Sequence, residues 1–151
     1  MIIIGYPGIG KSTLPISNEQ YVDMESSRFI FNGVRPMRWA YFYARMAEDI
    51  SRQGYRVFVS MHKEVVENLK FSDEKVVIVC PAFELKYQWI EKLRTRWELE
   101  PSHKNYAAWQ RAAKHYDTDI NATKLYPFRA IKIYHMGYDL GELLEHELND
   151  E

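Results

Sequence analysis

Met1-Ile-Ile-Ile-Gly-Tyr-Pro-Gly-Ile-Gly-Lys-Ser-Thr13 decides how this chain is read. Met1 to Ile4 is a continuously apolar run, the pattern of a short buried strand, and it enters a glycine-rich loop directly. Gly5, Gly10, Lys11 and Ser12 fill the spacing G-x-x-x-x-G-K-[ST] of a phosphate-binding loop. Glycine lets such a loop wrap an anion with its backbone N–H groups, because positive φ and close approach strain it little. The expected contacts to donor phosphates run over Gly8, Ile9, Gly10, Lys11, Ser12 and Thr13. Lys11 supplies a point charge, the Ser12 hydroxyl a ligand for Mg²⁺, and a helix opening near Lys11 a favourable dipole.

The rest of the sequence limits the context in which that loop works. At 151 residues the chain is expected to be one domain, with 46% hydrophobic and 27% charged residues, ordinary values for a water-soluble fold. A net charge of −1 lacks the basic excess of a broad nucleic-acid surface, so nucleic acid is not an expected partner. Cys80 is the only cysteine and has no internal disulfide partner, which points to a reducing, cytoplasmic location. No apolar run is long enough to cross a membrane, and the first strand leaves no room for a signal peptide. A monomer or weak homo-oligomer is the expected state.

Outward from the loop, Pro15 removes a backbone donor near the second turn of the following helix, and Ser17-Asn18 stop it after one to two turns. Tyr21–Met24 reads as a short strand. Pro36 as a first helical position and Gly54 just past the end predict a helix over 36–53, with Ala40, Tyr43, Ala44, Ala47 and Ile50 at helical spacing. Strands follow at 56–61 and 75–80, around a short helix at 63–70. Longer helices are expected at 84–98, with Leu85, Trp89, Ile90, Leu93 and Trp97 on one stripe, and at 104–124. An edge strand at 130–136 and a helix at 140–148, opened by an Asp139/Glu142 capping box, complete the order. The stretch 139–151 carries six acids without Lys or Arg and reads as a solvated face.

Alternating strands and helices imply an α/β fold, a five-stranded parallel sheet with helices on both faces. Strands 1–4, 56–61 and 76–80 are apolar throughout, as central strands are, while 21–24 and 130–136 suit edges. The order 2-3-1-4-5 satisfies both conditions.

At this point the chain resembles the small P-loop kinases, the nucleoside-monophosphate kinase group with its shikimate- and gluconate-kinase relatives. It is most similar to small phage-type nucleotide kinases. The resemblance extends over nearly the whole chain and is sharply specific only at the P-loop. It implies a three-layer P-loop NTPase fold, ATP and Mg²⁺ as cofactors, and a nucleotide as acceptor. Glu84-Leu85 through Arg94-Thr95-Arg96 is similar to the helix leading into a kinase lid, which here would be short, about residues 94–104. Arg111 stands where the group has a further arginine. Two features depart from the group. An Asp-containing motif that follows the third strand in adenylate kinases is replaced by Ser60-Met61-His62, and the glycine triplet of the shikimate branch is absent.

Individual residues carry parallel readings. Asp23 and Glu25, at a strand end beside the loop, suit the Mg²⁺ shell and the acceptor proton, while Asp23 and Ser26-Ser27 are also good helix-cap types. The segment 26–47 has no acid and four arginines. Arg28, Arg35 and Arg38, among Phe29, Phe31, Trp39 and Tyr41, could hold an acceptor phosphate beside a stacked base, or form a basic outer helix face. The acceptor region is therefore expected at about 25–53, with Arg28 first. Arg94 and Arg96 are candidates to neutralise the transferring group, with Arg94 also on the nucleotide, against a reading as surface arginines at a helix end. His62 ends a central strand and faces the crevice by topology, where a capping or core role competes. The tyrosines and tryptophans at helical spacing read as core and receive no site role. The functional expectation is ATP- and Mg²⁺-dependent phosphoryl transfer to a nucleoside monophosphate or similar small anion. The alternatives are a polynucleotide or RNA-end kinase and a non-catalytic nucleotide-binding or interaction protein.

Overall fold

Five parallel strands in the order β2-β3-β1-β4-β5 form the frame in the computed structural model, which describes residues 1–149. They are β1 (Ile2–Gly5), β2 (Tyr21–Asp23), β3 (Arg56–Ser60), β4 (Val76–Pro81) and β5 (Arg129–Ile133). Successive side chains of a strand point to opposite faces, yet Ile2, Ile3 and Ile4 are all fully buried, as are Val57, Phe58 and Val59. Both faces of the central strands are therefore covered. The expected architecture and strand order hold.

The six helices are α1 (Leu14–Ser17), α2 (Trp39–Arg52), α3 (Lys63–Leu69), α4 (Lys86–Leu99), α5 (His103–Ala122) and α6 (Leu140–Asn149). The α2 helix buries Ala40, Tyr43, Ala44 and Ala47, which recur at helical spacing. Leu140, Leu144 and Leu148 do the same for α6, and the Asp139 carboxylate accepts from the Glu142 N–H at its start. Tails beyond Asn149, part of the expected acidic face, lie outside the described residues. Among the described residues no helix is long and apolar enough to cross a membrane.

The edge strand expected at 130–136 ends at Ile133, and three other boundaries differ from the sequence reading for a local reason. The helix after the glycine loop is a single turn beginning at Leu14, not near Lys11, because Pro15 has no N–H to return to the Lys11 carbonyl. Pro36 lies outside α2, which starts only at Trp39, preceded by Arg38 in the left-handed region (φ 62°). There the chain leaves a small bridge between Phe31 and Val34, turned by Asn32 and Gly33, both at positive φ. The expected lid is a tight joint in a helical hairpin: α4 ends at Leu99, and the Ser102 hydroxyl accepts from the Asn105 N–H at the start of α5.

Candidate functional site

All five strands end on one edge, because all run parallel, and the Gly5–Thr13 loop lies over the middle of it. Gly5 is in register with Ser60 of β3 on one side and Val79 of β4 on the other. Positive φ at Gly8 (92°) and Gly10 (116°) bends the loop back on itself. A side chain has no room at Gly5, where a Cβ would lie 2.7 Å from the Lys11 Cδ, nor at Gly8, where it would lie 2.9 Å from a Leu93 methyl. Lys11 folds over this turn, its ammonium donating to the Gly5 carbonyl at 2.7 Å. Burial lowers its pKa to about 8, against the opposing charges of Asp23 and Glu25. Ser12 and Thr13 are exposed at the loop rim.

Asp23 ends β2 and Glu25 follows it, which brings two carboxylates to the same edge. Burial, and then the charge of Glu25, raise the Asp23 carboxyl above its ordinary value. Glu25 itself is pulled the other way. Burial would raise it, but an ion pair with Lys104 and the Ser27 N–H bring it below its ordinary value. Glu25 also caps the single turn Ser26–Phe29 by accepting that N–H at 3.3 Å, so the capping role falls to Glu25 and not to Asp23. Arg28, on the exposed side of that turn, is close enough to act electrostatically on Asp23.

Arg94 and Arg96 separate. In a regular helix, residues two apart point about 200° away from each other, so one helix cannot aim both at one cleft. Arg94 lies outward on α4, paired with Glu91 and donating to Glu98 at 2.7 Å. The sequence reading expects it to close on the nucleotide beside Arg96; in this arrangement its guanidinium is engaged by two glutamates. Arg96 points inward. Burial lowers its pKa, it contributes to the field at Lys11, and its buried Nε has no hydrogen-bond partner among the described residues. Lys104, from the first turn of α5, crosses to Glu25 and thus ties the hairpin to the strand edge. No local pattern signals this pair, since only the joint between α4 and α5 brings residue 104 opposite residue 25.

Arg38 is likewise turned away. Its guanidinium lies 4.6 Å from the Tyr41 ring centre and lines a groove with Trp39, Glu64 and Asn68 on the outside of α2 and α3. The inward arginine is Arg35, 3.9 Å over the Trp39 ring, with its Nη1 buried and without a hydrogen-bond partner among the described residues. Trp39 in turn meets the His62 ring edge-on at 5.4 Å. His62 shares a 2.8 Å hydrogen bond with the Ser60 hydroxyl, and it stands before α3 without capping it through its side chain. Burial, then the Arg35 charge, lower its pKa to about 4, so the ring is neutral at pH 7. Tyr43 ties this side to the sheet: its hydroxyl donates to the Met24 carbonyl at 2.5 Å and accepts from the Ser60 N–H at 3.0 Å.

Comparisons with models of known protein families, with curated proteins and with solved structures find no match. The chemistry must then be read from the edge itself. Lys11, Arg96 and Lys104 gather around two carboxylates at the mouth of a loop rich in backbone donors. Among the described residues no group of three His, Cys, Asp or Glu side chains is placed to hold a metal by itself. The available donor set, the Ser12 hydroxyl with the like-charged pair Asp23 and Glu25, suits a hard cation that keeps water or phosphate oxygens for its other positions. A cation there would offset the burial and the Glu25 charge that raise Asp23.

Proposed function

We propose that the protein is an ATP- and Mg²⁺-dependent phosphotransferase of P-loop type, acting on a nucleoside monophosphate or a similar small anion. The observation that carries the reading is the Gly5–Thr13 loop, turned by positive-φ glycines with Lys11 folded across it, at the carboxyl edge of a parallel sheet. Ligands of open α/β sheets bind at that edge. Loop N–H groups and Lys11 would hold donor phosphates, while Ser12 and Asp23 would hold Mg²⁺. The metal would neutralise charge shared by the donor phosphates.

Work on the acceptor side falls to this chain's own residues. Arg35 and Arg28 offer donors to an anionic acceptor, and Trp39 offers a ring to stack on. Asp23, with its raised pKa, is suited to accept a proton from the attacking oxygen where the acceptor carries one. Arg96 offers an unpaired guanidinium nitrogen to charge developing between donor and acceptor. Transfer of this kind is chiefly positioning and charge neutralisation, so these groups suffice.

A second reading, a nucleotide-binding protein without transfer activity, is favoured by one observation. The residues after β3 are Met61 and a neutral His62, and of the two carboxylates beside the loop Glu25 is occupied by Lys104, which leaves Asp23. Steady-state ADP release with and without a panel of nucleoside monophosphates and a 5′-hydroxyl oligonucleotide separates the readings. Stimulation by one monophosphate supports the kinase. Stimulation by the oligonucleotide alone replaces it with an end kinase, and nucleotide binding without stimulation by any acceptor replaces it with the binder.

A further inference from the structure

Outside the phosphate-facing side, the loop is held by Trp89, which the sequence reading places on a core stripe, and by Tyr138 and Lys92, to which it gives no role. The Trp89 indole N–H of α4 donates to the Pro7 carbonyl at 2.9 Å. From the segment before α6, the Tyr138 hydroxyl lies 2.7 Å from the Ile9 carbonyl and 3.4 Å from that of Gly8. The two rings stack at 6.0 Å between centres, and the Lys92 ammonium sits 4.4 Å from the Trp89 ring centre and 5.0 Å from that of Tyr138. Lys92 also donates to the Tyr138 hydroxyl at 3.1 Å.

Directions follow from these partners. An ammonium has no acceptor capacity, so the Tyr138 oxygen accepts from Lys92 and its own proton is free to go to Ile9. The charged donor polarises the phenol and strengthens that second bond. The peptide bonds of the described residues are trans, so each carbonyl and the following N–H point opposite ways. Fixing the Pro7 carbonyl toward Trp89 and the Ile9 carbonyl toward Tyr138 turns the Gly8 and Gly10 N–H groups to the other side of the loop.

We propose that Trp89, Lys92 and Tyr138 form an outer clamp that presets the amide directions of the Gly5–Thr13 loop, with Tyr138 as a positioning residue for the nucleotide's phosphates. The proposal rests on the nucleotide-binding reading above. It makes the anion affinity of the loop depend on α4 and on the segment before α6, which touch no phosphate themselves. One-turn α1 contributes little ordering of its own, so an outer support replaces the long helix that would otherwise fix the loop's exit.

The test uses the full chain and the variants Tyr138→Phe and Lys92→Met, which keep the ring and the aliphatic stem. In Tyr138→Phe, exchange of the Gly8 and Gly10 amides in ligand-free protein should rise about tenfold, and ADP and pyrophosphate should bind about tenfold more weakly. The acceptor KM should stay at its wild-type value, since Arg28 and Arg35 are untouched. Lys92→Met should show the same changes to a smaller degree. Because Lys92 acts through the phenol, the double variant should be no worse than Tyr138→Phe alone. Unchanged loop exchange in Tyr138→Phe overturns the clamp, as does an equal loss of donor and acceptor affinity. Should the wild type bind neither ADP nor pyrophosphate, the nucleotide reading falls, and the exchange measurement alone decides whether the loop is clamped.

Discussion

Two regions share the carboxyl edge of the sheet and are built in opposite ways. The Gly5–Thr13 loop is held from beneath by β1, whose three isoleucines are fully buried, and from outside by Trp89 and Tyr138. Segment 24–38 is tied down by Tyr43, which bonds Met24 and meets the Phe29 ring, by the Glu25–Lys104 pair, and by Arg35 on Trp39. Between those ties Phe31, Val34 and Met37 are mostly exposed, Met37 at 90%. The first region has its geometry set before any ligand arrives. The second has few buried contacts to hold it, which is the physical condition for local movement. On the proposed phosphotransferase reading, this is the arrangement expected of a cleft that orders around its second substrate.

The largest effect belongs to the preset side. Lys11→Met should lower ATP-dependent ADP release by about a thousandfold or more, because the cation at the loop mouth is removed. The same variant should be more stable than the wild type, by about 1 kcal/mol, since a desolvated charge is lost with it. The sign can be checked by pH. The folded pKa of about 8 lies below the ordinary 10.5, so the unfolded chain binds more protons between those values, and wild-type stability should rise with pH across that window. Thermal melts of Lys11→Met should lack this rise, and a less stable variant would contradict a strained functional lysine.

Next in size is the contrast between the two hairpin arginines. Arg96→Ala should reduce kcat about a hundredfold with little change in ADP affinity, whereas Arg94→Ala should stay within about threefold of wild type. Equal losses would mean that α4 turns on ligand binding, and would move Arg94 back into the cleft. On the loosely held side the effects should be smaller. Arg35→Ala is expected to lower kcat/KM for the acceptor about tenfold and to leave ADP affinity alone, while Arg38→Ala changes neither. Acceptor titrations at saturating ATP measure both, and a large effect of Arg38 would show that segment 24–38 refolds around the substrate.

The smallest effect tests how firmly that segment's inner end is packed. The folded pKa of His62, about 4, lies below the ordinary 6.5, so the unfolded chain binds the extra proton between these values. The His62 contribution to stability should therefore fall by about 1 kcal/mol as pH drops from 6.5 toward 4. Urea midpoints compared with His62→Asn isolate that contribution, and an identical pH slope in the variant would place His62 in water.

By itself the sequence determined the sheet, its order and the loop. Short, β-branched, unbroken apolar runs at Ile2–Ile4, Val57–Val59 and Val77–Cys80 read as central strands, and the loop spacing is a local pattern of fixed residue types. Helix starts were less legible where turn chemistry intervened, as Pro15 and the left-handed Arg38 show. What only the tertiary structure decided were the long-range partners. Arg94 and Arg96 carry the same charge two positions apart, and the pose of α4 alone makes one a surface ion pair and the other an inward cation. Lys104 meets Glu25 across 79 positions, and Tyr138 meets Ile9 across 129. Periodicity along a chain tells which face a side chain takes on its own element; which atoms lie opposite that face is fixed only when the elements pack.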